Sequence, residues 1–257
     1  MILKGRSISK GKAEGKVLKL EGALSFLGGV DASTGELKVE NGGNVADRIL
    51  VFPRGKGSTV GSFVMYDLKV HGKAPAAVIN SSAETIVATG AVISSIPMVD
   101  SVDVSLINDG DEVVVDSDKG TVEIKGVTLK ESVSSVVLIG GKILMLKRPK
   151  DSHSYPGRWS LCAGKIEKGE NPEQAAVREI GEETRITSIR MKGSLPPVTV
   201  REDKIMWKVH PFIFDAGDAT PVLNDENEDY KLVTYEEMCS LELVDKTPEV
   251  VSGLLKL

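Results

Sequence analysis

The chain reads as two α/β domains in tandem, and three features predict this. Its 257 residues are long for one domain and comfortable for two, each large enough to bury its own core. The pattern of short apolar runs lapses over residues 124–133 (IKGVTLKESV), and a second start follows. Within each half, runs of Val, Ile and Leu alternate with turn signals, and helical segments are fewer. The domains are therefore placed at residues 1–128 and 133–257.

In the first half, strands are expected over residues 48–52, 76–79, 104–106, 112–115 and 121–124, with helices starting near Thr59 and over 82–89. Turn signals punctuate them: Gly28-Gly29, Gly42-Gly43 and Asn108-Asp109-Gly110-Asp111. Two segments stand out, SFLGGVD at 25–31 and FPRGKGSTVGS at 52–62. The second is not a nucleotide-cradling P-loop, which needs Gly-x4-Gly-Lys-Ser/Thr where this order is Gly-Lys-Gly-Ser-Thr. What remains is a strand ending in a glycine-rich turn that presents a hydroxyl at a helix start. Backbone N–H groups there bind an anion or steady an alkoxide. Arg54, Lys56 and Gly57 are the candidate substrate-binding residues, and Ser58 the candidate reactive hydroxyl. From spacing alone, Ser58 as a mere helix cap is the favoured reading.

The second half starts with apolar runs at 135–139 and 142–147 separated by Gly140-Gly141, a hairpin signal. A helix follows over 172–184, with Asn171 at its N-cap and Pro172 in its first position. Strands near 188–193, 197–201 and 207–214 and a terminal helix from about Pro248 complete the domain. On the 172–184 helix, Glu179, Glu182 and Glu183 fall at i, i+3 and i+4, so three carboxylates share a face. Such clustering is costly unless something cationic sits among them. A solvated, charge-laced face is the plainer reading. A Mg²⁺ or Mn²⁺ site is the sharper one, because hard cations take oxygen ligands and share them with substrate phosphates.

The segment GKIEKGENPEQAAVREIGEETRI, 164–186, resembles the Nudix box G-x5-E-x7-R-E-U-x-E-E-x-G-U, with U aliphatic. It departs only at Arg185, which replaces the late glycine. The resemblance implies an α/β/α sandwich with a mixed sheet and a divalent-metal hydrolase of diphosphate bonds. Glu179, Glu182 and Glu183 become metal ligands, with Glu170 supporting the metal site and Gly164 as a substrate-binding residue. Arg178 orients the glutamates, with Glu182 at i+4 as its expected partner. The acidic stretch 224–231 resembles the family's base-bearing loop, with Glu226 first and Glu228 second as general base. Glu228-Asp229-Tyr230 also resembles the isopentenyl-diphosphate isomerase branch, but Cys162 is not at that branch's catalytic spacing and is read as packing.

Residues 2–124 resemble the small subunits of archaeal aconitase-X type phosphomevalonate dehydratases, through GKAP at 72–75, IVATGA at 86–91 and IPMVD at 96–100. This resemblance implies the swivelling β/β/α domain of the aconitase superfamily. It also implies dehydration of (R)-5-phosphomevalonate to trans-anhydromevalonate 5-phosphate in isoprenoid synthesis. Ser58 then serves as base, with Ser62 as the fallback. The reaction needs a [4Fe–4S] cluster, and the first half has no cysteine, so the cluster belongs to a separate large subunit. A non-catalytic regulatory module is the alternative for this half.

Composition bounds the rest. A net charge of −5 argues against nucleic-acid binding by a basic surface. The acidic excess lies after Lys130, where 17 basic side chains face 21 acidic ones. Cys162 and Cys239 lack neighbouring His pairs, so they are expected as buried or half-buried free thiols rather than a metal site or a disulfide. No 18-residue apolar run and no signal-like start is present, so a cytoplasmic protein without membrane contact is expected.

Overall fold

The structure is a computed structural model that describes residues 1–39 and 42–257. They form two compact units, Met1–Thr128 with Arg201–Met206, and Leu129–Val200 with Trp207–Leu257.

The first unit contains β1 (Ile2–Lys4), β2 (Arg6–Ser9), β3 (Lys12–Lys19), the single turn α1 (Phe26–Gly29) and β4 (Ile49–Arg54). It continues through α2 (Gly61–Val70), β5 (Ala77–Ser82), α3 (Thr85–Ile93), β6 (Met98–Asp100), β7 (Glu112–Asp116) and β8 (Thr121–Ile124). The strands form one mixed sheet in the order β1-β8-β7-β3-β4-β5-β6-β2. Strands β3 to β6 run parallel, and the flanks are antiparallel.

The central strands bury both faces, as a parallel sheet must. Leu50, Phe52 and Val78 pack with Met65 and Leu68 of α2 and with Val87 and Ala91 of α3. Their neighbours Ile49, Val51, Ala77 and Ile79 point the other way, into a core with Val113, Val115 and Met206. Within this unit, Arg201 gives two hydrogen bonds to Asp111, at 3.0 and 3.2 Å, and one to the Leu106 carbonyl at 3.1 Å.

Residues Val104–Leu106, expected as a strand, form a 3₁₀ turn. Asp103 accepts the Ser105 N–H at 3.1 Å, a local bond that competes with a sheet ladder. The helix expected over 82–89 starts later, at Thr85, because β5 runs on through Ser82.

The second unit contains β9 (Thr128–Ile139), β10 (Lys142–Lys147), β11 (Trp159–Ser160), β12 (Cys162–Lys165) and α4 (Pro172–Thr184). After these come β13 (Arg190–Ser194), β14 (Val198–Glu202), β15 (Ile205–Asp215), β16 (Asp229–Val233), α5 (Tyr235–Cys239) and α6 (Thr247–Leu254), with the Arg201–Met206 portion of β14 and β15 grouped with the first unit. The sheet runs β11-β10-β9-β15-β13, with β12 on β9, β14 on β15 and β16 on β10. Gly140 and Gly141, at φ 55° and 75°, make the two-residue turn between β9 and β10.

Alternation again sorts the two faces. Val133, Val137, Leu144 and Leu146 meet Ala175, Ala176 and Ile180 of α4. Val136, Ile143 and Met145 meet Met238 of α5 and Val251 and Leu254 of α6. The lapse read at 124–133 is partly strand, since β9 begins at Thr128. Its first four residues are exposed, so no apolar alternation announces them. Cys162 is buried as expected, but Cys239 is exposed, a correction that follows from its place at the end of the short helix α5. Among the described residues no helix is long and apolar enough to cross a membrane.

Candidate functional site

Helix α4 carries the acidic cluster, and its start is locally encoded. The Asn171 side chain accepts the Gln174 N–H at 2.9 Å while Gln174 accepts the Asn171 N–H at 3.0 Å, a reciprocal cap ahead of Pro172. The helix ends on Arg185 in the left-handed region, φ 58°, with its N–H on the Gly181 carbonyl at 3.0 Å. That is the backbone the missing box glycine would adopt freely.

Arg178 organises the carboxylates, and all five of its N–H donors are used. Nε and Nη2 hold both oxygens of Glu170 at 2.7 and 3.0 Å. Nη1 reaches Glu179 at 2.8 Å and Glu182 at 3.0 Å, and Nη2 also donates to the Lys165 carbonyl at 2.9 Å. The guanidinium holds Glu170 below the usual carboxylate range, while burial pushes Glu179 up despite Arg178. On the facing strand β12, a Cβ at Gly164 would fall on the Glu179 carboxylate, so any other residue there would have to displace that carboxylate from its place beside Arg178. The i+4 partner expected for Arg178 is present, but the bidentate grip on Glu170, eight residues away, comes from the loop before α4.

Glu183 lies apart from this network. Its side chain is buried, and Oε2 has no hydrogen-bond partner. Burial, then the Glu179 and Glu226 charges, pushes its carboxyl up to about 8. A cleft of ≈ 220 Å³ brings it together with Glu226, Asn227, Arg148, Pro149, Asp151 and Ser152. Glu228 faces Lys147 instead, at 2.8 Å. Sequence reading missed Arg148, Asp151, Ser152 and Asn227. Their signal was the polar break after the β10 apolar run and the position next to Glu226.

Among the described residues no three His, Cys, Asp or Glu side chains converge as a closed cation cage. The donor set still suits a hard cation that keeps water and phosphate oxygens and needs only one or two carboxylates. The orphaned buried oxygen of Glu183 is the observation that fits such an ion.

In the first unit, the two conspicuous segments meet. The Leu24 N–H donates to the Arg54 carbonyl at 3.1 Å and the Lys56 N–H to the Leu24 carbonyl at 2.9 Å. Gly57 takes φ 108°, and a Cβ there would sit 2.8 Å from Ser25 Oγ. Arg54, Lys56 and Ser58 are exposed on this turn. Ser58 Oγ accepts the Val60 N–H at 3.3 Å, but α2 begins at Gly61 with no side-chain cap, so capping is not its role. Ser62 is buried and donates to the Thr59 carbonyl at 2.8 Å. Glu84, unmarked in the sequence, places a buried Oε2 without a hydrogen-bond partner beside Gly55.

Cys162 packs in the core, and burial pushes its thiol well up. It is unsuited to act as a nucleophile.

Comparison with known proteins assigns both halves. The model described as aconitase X swivel domain matches residues 2–124, and the NUDIX domain model matches 129–252. A phosphomevalonate dehydratase small subunit from Thermococcus kodakarensis is 59% identical over 128 residues, which is 48% of this chain and 96% of that protein. The crystal structure of Thermococcus kodakaraensis aconitase X in its holo-form is 58% identical with a TM-score of 0.47, covering 48% of this chain and 98% of that one. A MutT protein from Methanosarcina mazei is 25% identical with a TM-score of 0.44, covering 51% of this chain and 95% of that one. The chain thus belongs to the aconitase X swivel-domain family of phosphomevalonate dehydratase small subunits through its first half and carries a NUDIX domain in its second.

Proposed function

We propose that the chain is bifunctional. Its second unit is a Mg²⁺- or Mn²⁺-dependent hydrolase that cleaves the diphosphate bond of a nucleotide or prenyl diphosphate. Its first unit is the small subunit of a hydro-lyase that dehydrates (R)-5-phosphomevalonate.

The single observation that carries the hydrolase reading is Glu183, a buried carboxylate with an unpartnered oxygen, in one cleft with Glu226. Glu179, Glu182 and Glu183 would hold the cation, with Glu170 supporting them through Arg178. When bound, the cation supplies electrophilic stabilisation of the charge that develops on the diphosphate oxygens. Glu226 takes the proton of the water that attacks phosphorus, while Glu228 is held by Lys147. Arg148 lends positive charge to the same cleft. Gly164 lets the β12 backbone close on Glu179. Burial of Cys162 favours this reaction over diphosphate isomerisation with a catalytic cysteine.

For the first unit, the 59% identity to a named small subunit supports the dehydratase reading. Ser58 acts as base on the exposed turn, and Arg54, Lys56 and the Gly57 backbone bind the substrate phosphate. The [4Fe–4S] cluster comes from a large subunit, since residues 1–128 contain no cysteine.

The test of the hydrolase is a Mg²⁺-dependent phosphate-release screen over nucleoside and prenyl diphosphates, run beside Glu182→Gln and Glu226→Gln. Each substitution should lower kcat by roughly 100-fold or more. Release that persists in Glu182→Gln overturns the metal assignment.

A further inference from the structure

We propose that the exposed apolar stripe of α2 is the docking surface for the cysteine-bearing, cluster-holding large subunit. This rests on the dehydratase reading of the first unit.

Helix α2 is apolar on two sides. Met65 and Leu68 are fully buried against the sheet. On the outer side Phe63 is 67% exposed, Val70 64% and Tyr66 49%, and Val60, just ahead of the helix, is 47% exposed. Phe63, Tyr66 and Val70 stand at i, i+3 and i+7, so they line one face. An outer helix face normally carries charge, and a contiguous run of large apolar side chains marks an interaction site. An aromatic anchor such as Phe63 is the residue type that dominates interface energetics.

The occupant follows from where the stripe begins. Val60 is two residues beyond Ser58, and both are exposed at the same turn. Leu27, 47% exposed, lies on the segment stitched to that turn through Leu24. The first unit holds a candidate base but no cysteine, so the Lewis acid for its reaction must be carried to Ser58 by another chain. A chain that covers Ser58 also covers Val60, whose N–H donates to Ser58 Oγ at 3.3 Å and whose carbonyl accepts the Phe63 N–H at 3.0 Å, where the stripe begins. The stripe is therefore continuous with a surface the reaction itself requires to be covered. The exposed Arg54 and Lys56 beside it set a basic rim for the phosphate and for acidic partner side chains.

The full chain is titrated by calorimetry against the large subunit of the Thermococcus kodakarensis dehydratase. The Phe63→Asp/Val70→Asp double variant and the milder Phe63→Ala follow, with Val222→Asp, on an exposed residue of the second unit, as control. The double variant should weaken Kd by at least about 30-fold, Phe63→Ala by roughly 10-fold, and the control by less than about twofold. Melting curves of the variants should match the parent, because the substituted side chains are exposed. Undiminished binding by both α2 variants overturns the docking surface and leaves the dehydratase reading standing. Absence of binding by the unsubstituted chain overturns both. A dimer of this chain that Phe63→Asp/Val70→Asp dissociates, with large-subunit affinity unchanged, assigns the stripe to a second copy and also overturns the proposal.

Discussion

Burial pushes the Glu183 carboxyl from an ordinary 4.5 up to about 8, with the Glu179 and Glu226 charges adding to the effect. The folded chain therefore keeps a proton on Glu183 that the unfolded chain releases near 4.5. The stabilisation is fully present below that value and is lost as pH rises toward 8. Thermal melts in chelator should show stability falling between these limits, by on the order of 2–4 kcal/mol. Glu183→Gln should flatten that dependence and raise the Tm at the alkaline end. Added Mg²⁺ should raise the Tm of the parent there and leave the variant unmoved. A parent curve as flat as the variant's would contradict this account of Glu183. Arg185 makes a smaller prediction at the same scale. Its φ of 58° disfavours any side chain, so Arg185→Gly should stabilise the chain by about 0.5–1 kcal/mol in urea melts with phosphate release unchanged.

At the scale of elements, α4 is the part of the molecule most fully written in local sequence. Its cap, its first-position proline and its carboxylate spacing all lie within one 14-residue stretch, and the helix runs Pro172–Thr184 as expected. Elements whose composition or exposure conceals them were harder to see. The Val104–Leu106 segment has strand-like composition but obeys an Asp103 side chain, and Thr128 opens a strand whose first residues are exposed. The end of β14 is the clearest case of a non-local requirement. Arg201 is 5% exposed and its partner Asp111 14%, so truncating one leaves the other buried without its countercharge. Arg201→Ala should destabilise the first unit by about 3 kcal/mol. Hydrogen exchange should report it as loss of protection in β7 and β8, with the amides of β10 unchanged.

For the whole molecule, the two units contain two separate chemistries with different requirements. The second carries its own acidic helix and cleft. The first has its turn residues but no cysteine, so the purified chain alone should show no phosphomevalonate dehydration, and activity should appear only with a large subunit. Turnover by the lone chain, followed as substrate loss, would sink the subunit model. Two domains, their families and the acidic box were legible along the chain, because strand alternation, helix caps and i, i+3, i+4 spacing are properties of neighbouring residues. Tertiary packing alone joined the Leu24 segment to the Gly57 turn, set Glu226 beside Glu183, tied Glu228 to Lys147 and left Phe63 uncovered. Those outcomes depend on which distant groups compete for the same water-free space, and burial and charge pairing are decided only when the sheet has brought them within reach.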